Sequence, residues 1–559
     1  MNIKKYINRK LNIKLLLISG ILLTSCNDDD FLDLDPETFY TIDNVFSTGV
    51  QVEQSLITLY DYDRTLRTST SFNGIIQGKG TDVMVTPGFR SGLHFSDYSS
   101  INAENSYLRN LFNYHYSIIA SANTTISAAD IDGIEFESEE TKAYVLAQAR
   151  FFRAKIHGQL AQLFGNVGIV DESASEPRYD YEQSTRAEVY QFAIDELEAI
   201  LDDLPETAAE PGKVVKGAAQ HYLSEFYLSL GTETGDSDDF DKSIEYATDL
   251  IDGGVYSLMT DRFGSRIEEE GKDVYWDLFR KGNINYSDGN NESIWAYQMD
   301  YDAYVAGDEN AATEYPRYWG PVWRQIAGVD GTAEDVGGRG VAYYTPTDLS
   351  ETIIWEDAVS AGDLRNSEAN ITRTIYYNDP ADEYAEVYGT VVPQEAIDQA
   401  KSELEGAIYP IFQRFTTDQF EGLDNGEDRS NLFIDRYAIR LSETILVRAE
   451  AHFRKGETQL AADDINIIRN RAQCDVLATA GTVDIDYILD ERARELLGEE
   501  SRWNTLLRMG GTVAVDRIRT YAEHDWTTNS LTFDFNAFPI PQLFIDANSE
   551  VRWEQNEGW

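Results

Sequence analysis

The chain is poor in the residues that most site chemistries require. Two of its 559 residues are cysteine, Cys26 and Cys474. Once Cys26 is committed as argued below, no disulfide framework or cysteine metal site remains, and Cys474 reads as a small hydrophobe at a helix end. The six histidines (His94, His115, His157, His221, His452, His524) nowhere take His-Glu-x-x-His spacing. No Gly-x-Ser-x-Gly elbow or Gly-x-x-x-x-Gly-Lys phosphate loop occurs. Basic residues are scarce, 46 against 98 acidic, for a formal charge of −52. That excess argues against nucleic acid or an anionic membrane as ligand and suits a solvated surface. With so many carboxylates, a sequence pair of them says nothing about glycoside hydrolysis, which depends on separation in space. Asp236, Asp238 and Asp239 lack the order of an EF-hand and read as a solvated insert that lengthens a helix turn. No cofactor or metal is expected.

Hydrophobic residues make up 42%, enough for a real core. Lys4, Lys5, Arg9, Lys10 and Lys14 precede an apolar run, Leu15 to Leu23, that is too short to span a bilayer. It ends in Leu23-Thr24-Ser25-Cys26, the small-residue-then-cysteine order of a lipoprotein signal. Residues 1–25 are therefore expected to be a signal peptide and Cys26 a lipidated, palmitate-bearing anchor; a plain secretory signal is the alternative. Asp28, Asp29 and Asp30 follow as an acidic tether, and 26–46 as an extended arm.

The fold class expected is mainly α, built of tetratricopeptide-like helical hairpins interrupted by a large irregular insertion. The pattern is clearest after Arg436. Tyr437, Leu441, Ile445 and Ala449 recur every four residues, Gly456 fits a helix C-terminus, and Thr458 fits the cap of a second helix. Ala461, Ile465, Ile468 and Ala472 line that second helix, and alanines 449, 451, 461 and 462 let the two backbones approach. One such pair cannot bury its own face, so partner pairs are expected. Several earlier segments supply them: 107–126, 139–164, 186–204, 216–230 and 240–251 carry helical periodicity. The expected organisation is helical repeats over 47–260 with an early binding loop at 68–106, a loop-rich aromatic insertion over 261–434, and C-terminal repeats and tail over 435–559. Within the insertion only Pro393 to Leu404 reads as helix. From Tyr275 to Trp355, 15 of 81 residues are Trp, Tyr or Phe, about 19% against 12% for the chain. So many rings in loops either knot the loops together or face a ligand.

Several blocks resemble the SusD/RagB family of outer-membrane nutrient-binding lipoproteins. They are Gln148-Ala149-Arg150-Phe151-Phe152-Arg153-Ala154 with Leu163-Phe164-Gly165-Asn166-Val167, and Tyr437 to Glu443 running on to Arg448-Ala449-Glu450-Ala451. Ile465 to Ala472, Asp490 to Leu496, and Pro539-Ile540-Pro541-Gln542 with Gln555-Asn556 also match. Gly168 and Glu500-Ser501-Arg502-Trp503 depart from the family pattern. The resemblance implies a non-catalytic, lipid-anchored, surface-exposed outer-membrane protein. It implies binding of oligosaccharide or polysaccharide and delivery to a SusC-like TonB-dependent transporter. A peptide-binding RagB-like role and a surface glycan hydrolase are the alternatives.

A sugar ring needs a flat aromatic face for its C–H side and fixed polar partners for its hydroxyls. The family tends to take these from the early loop and the insertion. Here those supply Arg90, His94 and Tyr98, then Tyr301, Tyr304, Tyr315, Tyr318, Trp319 and Trp323. Tyr315-Pro316-Arg317-Tyr318-Trp319-Gly320 is the densest cluster, and Trp319 is the leading single candidate.

Overall fold

The computed structural model describes residues 45–559 apart from 70–71, 73, 75–76, 88–94, 96, 175, 424–427 and 523–528. Cys26 and the rest of the expected leader and arm up to residue 44 lie outside the described residues. Thr48–Trp559 is one compact unit.

Six helices come first: α1 (Gly49–Thr68), α2 (Ser106–Ala129), α3 (Glu139–Phe164), α4 (Arg186–Glu198), α5 (Lys216–Thr234) and α6 (Ser237–Asp252). Each packs against the next. Their starts follow side-chain chemistry. Ser138 caps α3 and Thr185 forms a capping box with Glu188 at α4. Of the remaining helices, α7 (Gln394–Glu403) lies in the insertion, and α8 (Leu441–Arg454), α9 (Thr458–Arg471), α10 (Ile485–Leu496) and α11 (Arg502–Arg508) follow it. α8 packs on α5 and α6 although residues 253–440 intervene, so the helical layer resumes where it paused. The mainly α, hairpin-repeat expectation is met.

Local expectations needed correction. Tyr437 is not on the helix. Arg436–Arg440 is a strand, β6, antiparallel to β2 (Ser293–Tyr297), and α8 begins only at Leu441. Strand pairing won because β2 supplies ladder partners across a long excursion. The cap of α9 is Glu457 rather than Thr458, while Gly456 takes the left-handed turn expected of it (φ +80°). The acidic run does not lengthen the α5–α6 turn. Gly235 alone makes it, Asp236 caps α6, and Asp238 and Asp239 sit in its first turn, where carboxylates offset the helix dipole. α4 stops at Glu198, short of the expected Leu204.

The β2–β6 pair closes off residues 298–435 as a single excursion. Two smaller pairs organise it: β1 (Met84–Val85) with β3 (Thr345–Pro346), and β4 (Ile371–Thr372) with β5 (Ile411–Phe412). The insertion has its own core of Trp319, Trp323, Trp355, Ile408 and Phe412, to which Met84 of the early loop and Leu497 after α10 contribute.

Candidate functional site

Of the expected site residues, Arg90 and His94 lie outside the described residues. Four others are interior. Tyr98 is 1% exposed and donates its hydroxyl to the Gly80 carbonyl. Tyr315 is buried beneath the Arg436 guanidinium, 4.3 Å from its ring centroid, and its hydroxyl accepts from Gln77. Trp323 is buried in the insertion core. Trp319 is 2% exposed. Its ring stacks on Phe415 at 3.9 Å with an interplanar angle of 15°, and its indole N–H donates to Gln77 Oε1 at 3.1 Å. A ring held on both its face and its edge has nothing left for a sugar, so Trp319 leaves the candidate site. Ten of the fifteen rings between Tyr275 and Trp355 are buried, and Tyr315, Trp319, Trp323, Tyr344 and Trp355 among them share the core of the insertion.

Five rings stay half-buried, and four of them form two groups. Tyr301 and Tyr304 belong to a short helical turn, Tyr301–Val305, started by the Asp300 side chain. Both rest on Phe433, with centroids at 4.9 and 5.3 Å. Tyr318 stacks on Tyr343 at 4.8 Å and 29°, a near-parallel pair. The two tyrosine pairs are tied by backbone. Thr313 and Leu432 exchange both hydrogen bonds, at 3.0 and 2.8 Å, which places Asn431 beside Tyr304 and Glu314 beside the turn that carries Tyr318. The segment 317–320 is then held alongside 341–344 by Val341 N–H to Arg317 O, Ala342 N–H to Gly320 O and Tyr344 N–H to Tyr318 O. That ladder fixes Tyr318 and Tyr343 on the same side.

Polar groups flank the rings. Arg317 pairs with Glu314 at 2.6 Å, and its buried Nε has no partner among the described residues. Asn431 Nδ2 donates to the Tyr304 hydroxyl at 3.1 Å, and Arg339 pairs with Asp428. The arrangement offers flat apolar faces with fixed donors and acceptors beside them, suited to a ligand with a C–H face and a hydroxyl rim. Among the described residues no cluster of histidine, cysteine or carboxylate could hold a metal ion. Tyr343 and Asn431 were not expected. The Tyr343-Tyr344 doublet was visible inside the aromatic window, but only the backbone ladder shows that Tyr343 pairs with Tyr318.

Two family models match the chain: one described as "SusD family" over residues 291–559, the other as "Starch-binding associating with outer membrane" over residues 30–228. A SusD-like protein of Bacteroides ovatus is 22% identical over 531 residues, covering 92% of this chain and 85% of that protein. Among solved structures, a SusD homologue of Bacteroides thetaiotaomicron superposes with a TM-score of 0.68 at 17% identity, covering 93% of this chain and 98% of the other. A surface glycan-binding protein A of the same organism, solved with laminarihexaose, gives a TM-score of 0.64 at 19% identity over 91% and 99% of the two chains.

Proposed function

The chain belongs to the SusD family, and on that premise we propose that it is a non-catalytic, cell-surface carbohydrate-binding protein. In this reading it binds oligosaccharide or polysaccharide and hands it to a SusC-like TonB-dependent transporter of the outer membrane. The observation that carries the reading is the stacked, half-buried pair Tyr318–Tyr343, aligned by its backbone ladder and flanked by Arg317 and Glu314. Tyr301 and Tyr304, resting on Phe433, are a second group of half-buried rings joined to it through the Thr313–Leu432 backbone pair. Solved relatives that hold laminarihexaose or bind laminarin support the ligand class. Cys26 is the proposed lipid acceptor.

Titration calorimetry against neutral oligosaccharides, laminarihexaose first, tests it, with a peptide pool as the competing arm. Tyr318→Ala is expected to weaken the best saccharide at least tenfold, about 1.4 kcal/mol. Binding of peptides but of no saccharide, or cleavage of a labelled saccharide, would overturn the reading. Co-purification with a TonB-dependent transporter after mild membrane extraction tests the delivery step.

A further inference from the structure

Fourteen arginines are buried among the described residues, and eleven of them hold a carboxylate in an ion pair. The other three, Arg67 of α1, Arg280 and Arg436 of β6, form no ion pair among the described residues. They are not scattered. Arg280 Nη2 donates to the Gln413 carbonyl, and Arg436 Nη1 donates to the next one, Arg414 O, at 3.0 Å. Arg67 reaches Ser501 Oγ and Gly498 O, at 3.2 and 3.5 Å. Two buried N–H groups have no partner among the described residues, Nη1 of Arg280 and Nε of Arg436. Burial pulls the Arg280 guanidinium down to about 10 and Arg436 below the usual arginine range, and both keep their charge at neutral pH.

Arg67 and Arg436 line one small cavity of about 20 Å³, room for a single water-sized occupant. Arg414 is the third guanidinium on its wall, and the rings of Phe279, Phe415 and Tyr437 close much of the rest. Two carboxylates also reach the wall, and both are engaged. Asp435 accepts from the Met299 N–H at 2.7 Å and from Asn285 Nδ2 at 2.8 Å. Glu499 is held by Arg440 at 2.6 Å and by Arg414 at 3.2 Å. The wall therefore carries three positive groups against two negative ones, and Arg440 outside it already shares one of the negatives. A buried charge without a counter-charge is costly, so an anion that fits the cavity gains partners the protein does not supply.

We propose that this cavity is a site for one small inorganic anion, chloride in physiological salt, held between the guanidinium groups of Arg67 and Arg436. The Arg436 Nε–H is the donor left for it. Arg67 belongs to the helical layer, and Arg414 and Phe415 belong to the insertion, so the ion would tie the two together. The site does not depend on the carbohydrate reading above.

The test uses the full chain, dialysed into sodium gluconate and returned to chloride or bromide at constant ionic strength. The melting temperature is expected to rise by about 2 °C and level off with either halide, since a ligand bound only by the folded chain stabilises it. Gluconate is too large for the cavity and should give no such rise. Crystals grown in gluconate and soaked in bromide should show an anomalous peak between Arg67 and Arg436. Arg67→Met should lose both the peak and the halide dependence; if that variant does not fold, the wild-type titration and the bromide peak decide. Equal melting in halide and gluconate would overturn the site. A bromide peak without the saturable rise would mark an adventitious ion only and would overturn it too, as would a soaked crystal with no peak in the cavity.

Discussion

At the residue scale, two neighbours have opposite assignments. Trp319 faces inward onto Phe415, and Tyr318 faces outward beside Tyr343. Trp319→Ala removes a fully packed ring and is expected to cost about 3–5 kcal/mol of stability. A thermal or denaturant midpoint checks it. Tyr318 is half-buried against Tyr343 and Tyr344, so Tyr318→Ala should cost about 1–2 kcal/mol of stability, less than Trp319→Ala, while carrying the binding loss described above. Histidine burial makes a second prediction. Burial pushes His115, His157 and His221 each down to about 4. For His157 the reason is plain: Nδ1 donates to the Arg153 carbonyl at 2.8 Å and Nε2 accepts the Val170 N–H at 3.1 Å. No lone pair is left for another proton. The folded values lie below the usual 6.5, so between pH 6.5 and 4 the unfolded chain binds more protons. Stability is full above pH 6.5 and is lost as pH falls toward 4, by up to roughly 3 kcal/mol per histidine. Urea midpoints measured from pH 7.5 to 4.5 should fall steeply below 6.5; a flat profile would refute the assignment.

At the scale of elements, close helix crossings carry the layer. A Cβ at Gly158 of α3 would collide with the Phe226 ring of α5. Gly158→Ala is therefore expected to destabilise by about 1–3 kcal/mol, even though alanine is the better helix former. Gly456→Ala, where nothing crowds the site but φ is +80°, should cost only about 1–2 kcal/mol. Chemical denaturation of both variants separates steric from backbone cost. The hairpins were legible because an apolar residue every three or four positions is a local signal. The start of α8 was not: Tyr437 continues the helical spacing, yet its segment pairs with a strand some 140 positions earlier, which no window of sequence contains.

For the whole molecule, the insertion and the helices are locked by buried charge. Arg440 of β6 reaches Glu292, Glu495 and Glu499, and Arg471 of α9 holds Glu292 and Glu495 at 2.7 and 2.6 Å. Arg502 and Arg517 both clasp Asp82 of the early loop, at 2.5 and 2.9 Å. Arg440→Met would strand carboxylates in the interior and is expected to cost about 3–5 kcal/mol. Calorimetry should show the insertion and the helical layer still melting together. The blocks that carry the family resemblance do this structural work. Glu491, Arg492 and Glu495 are interior ion-pair partners, and the Asn556 amide donates to Phe164 O and Phe538 O at 2.7 Å each. Sequence alone therefore determined the mainly helical fold and the family, because periodicity and short motifs are properties of contiguous residues. Which tyrosines stay half-exposed and which tryptophans are sealed in were decided by tertiary structure. Those outcomes depend on what distant segments press against each side chain, and alternate rings in one short stretch can end on opposite sides of the same wall.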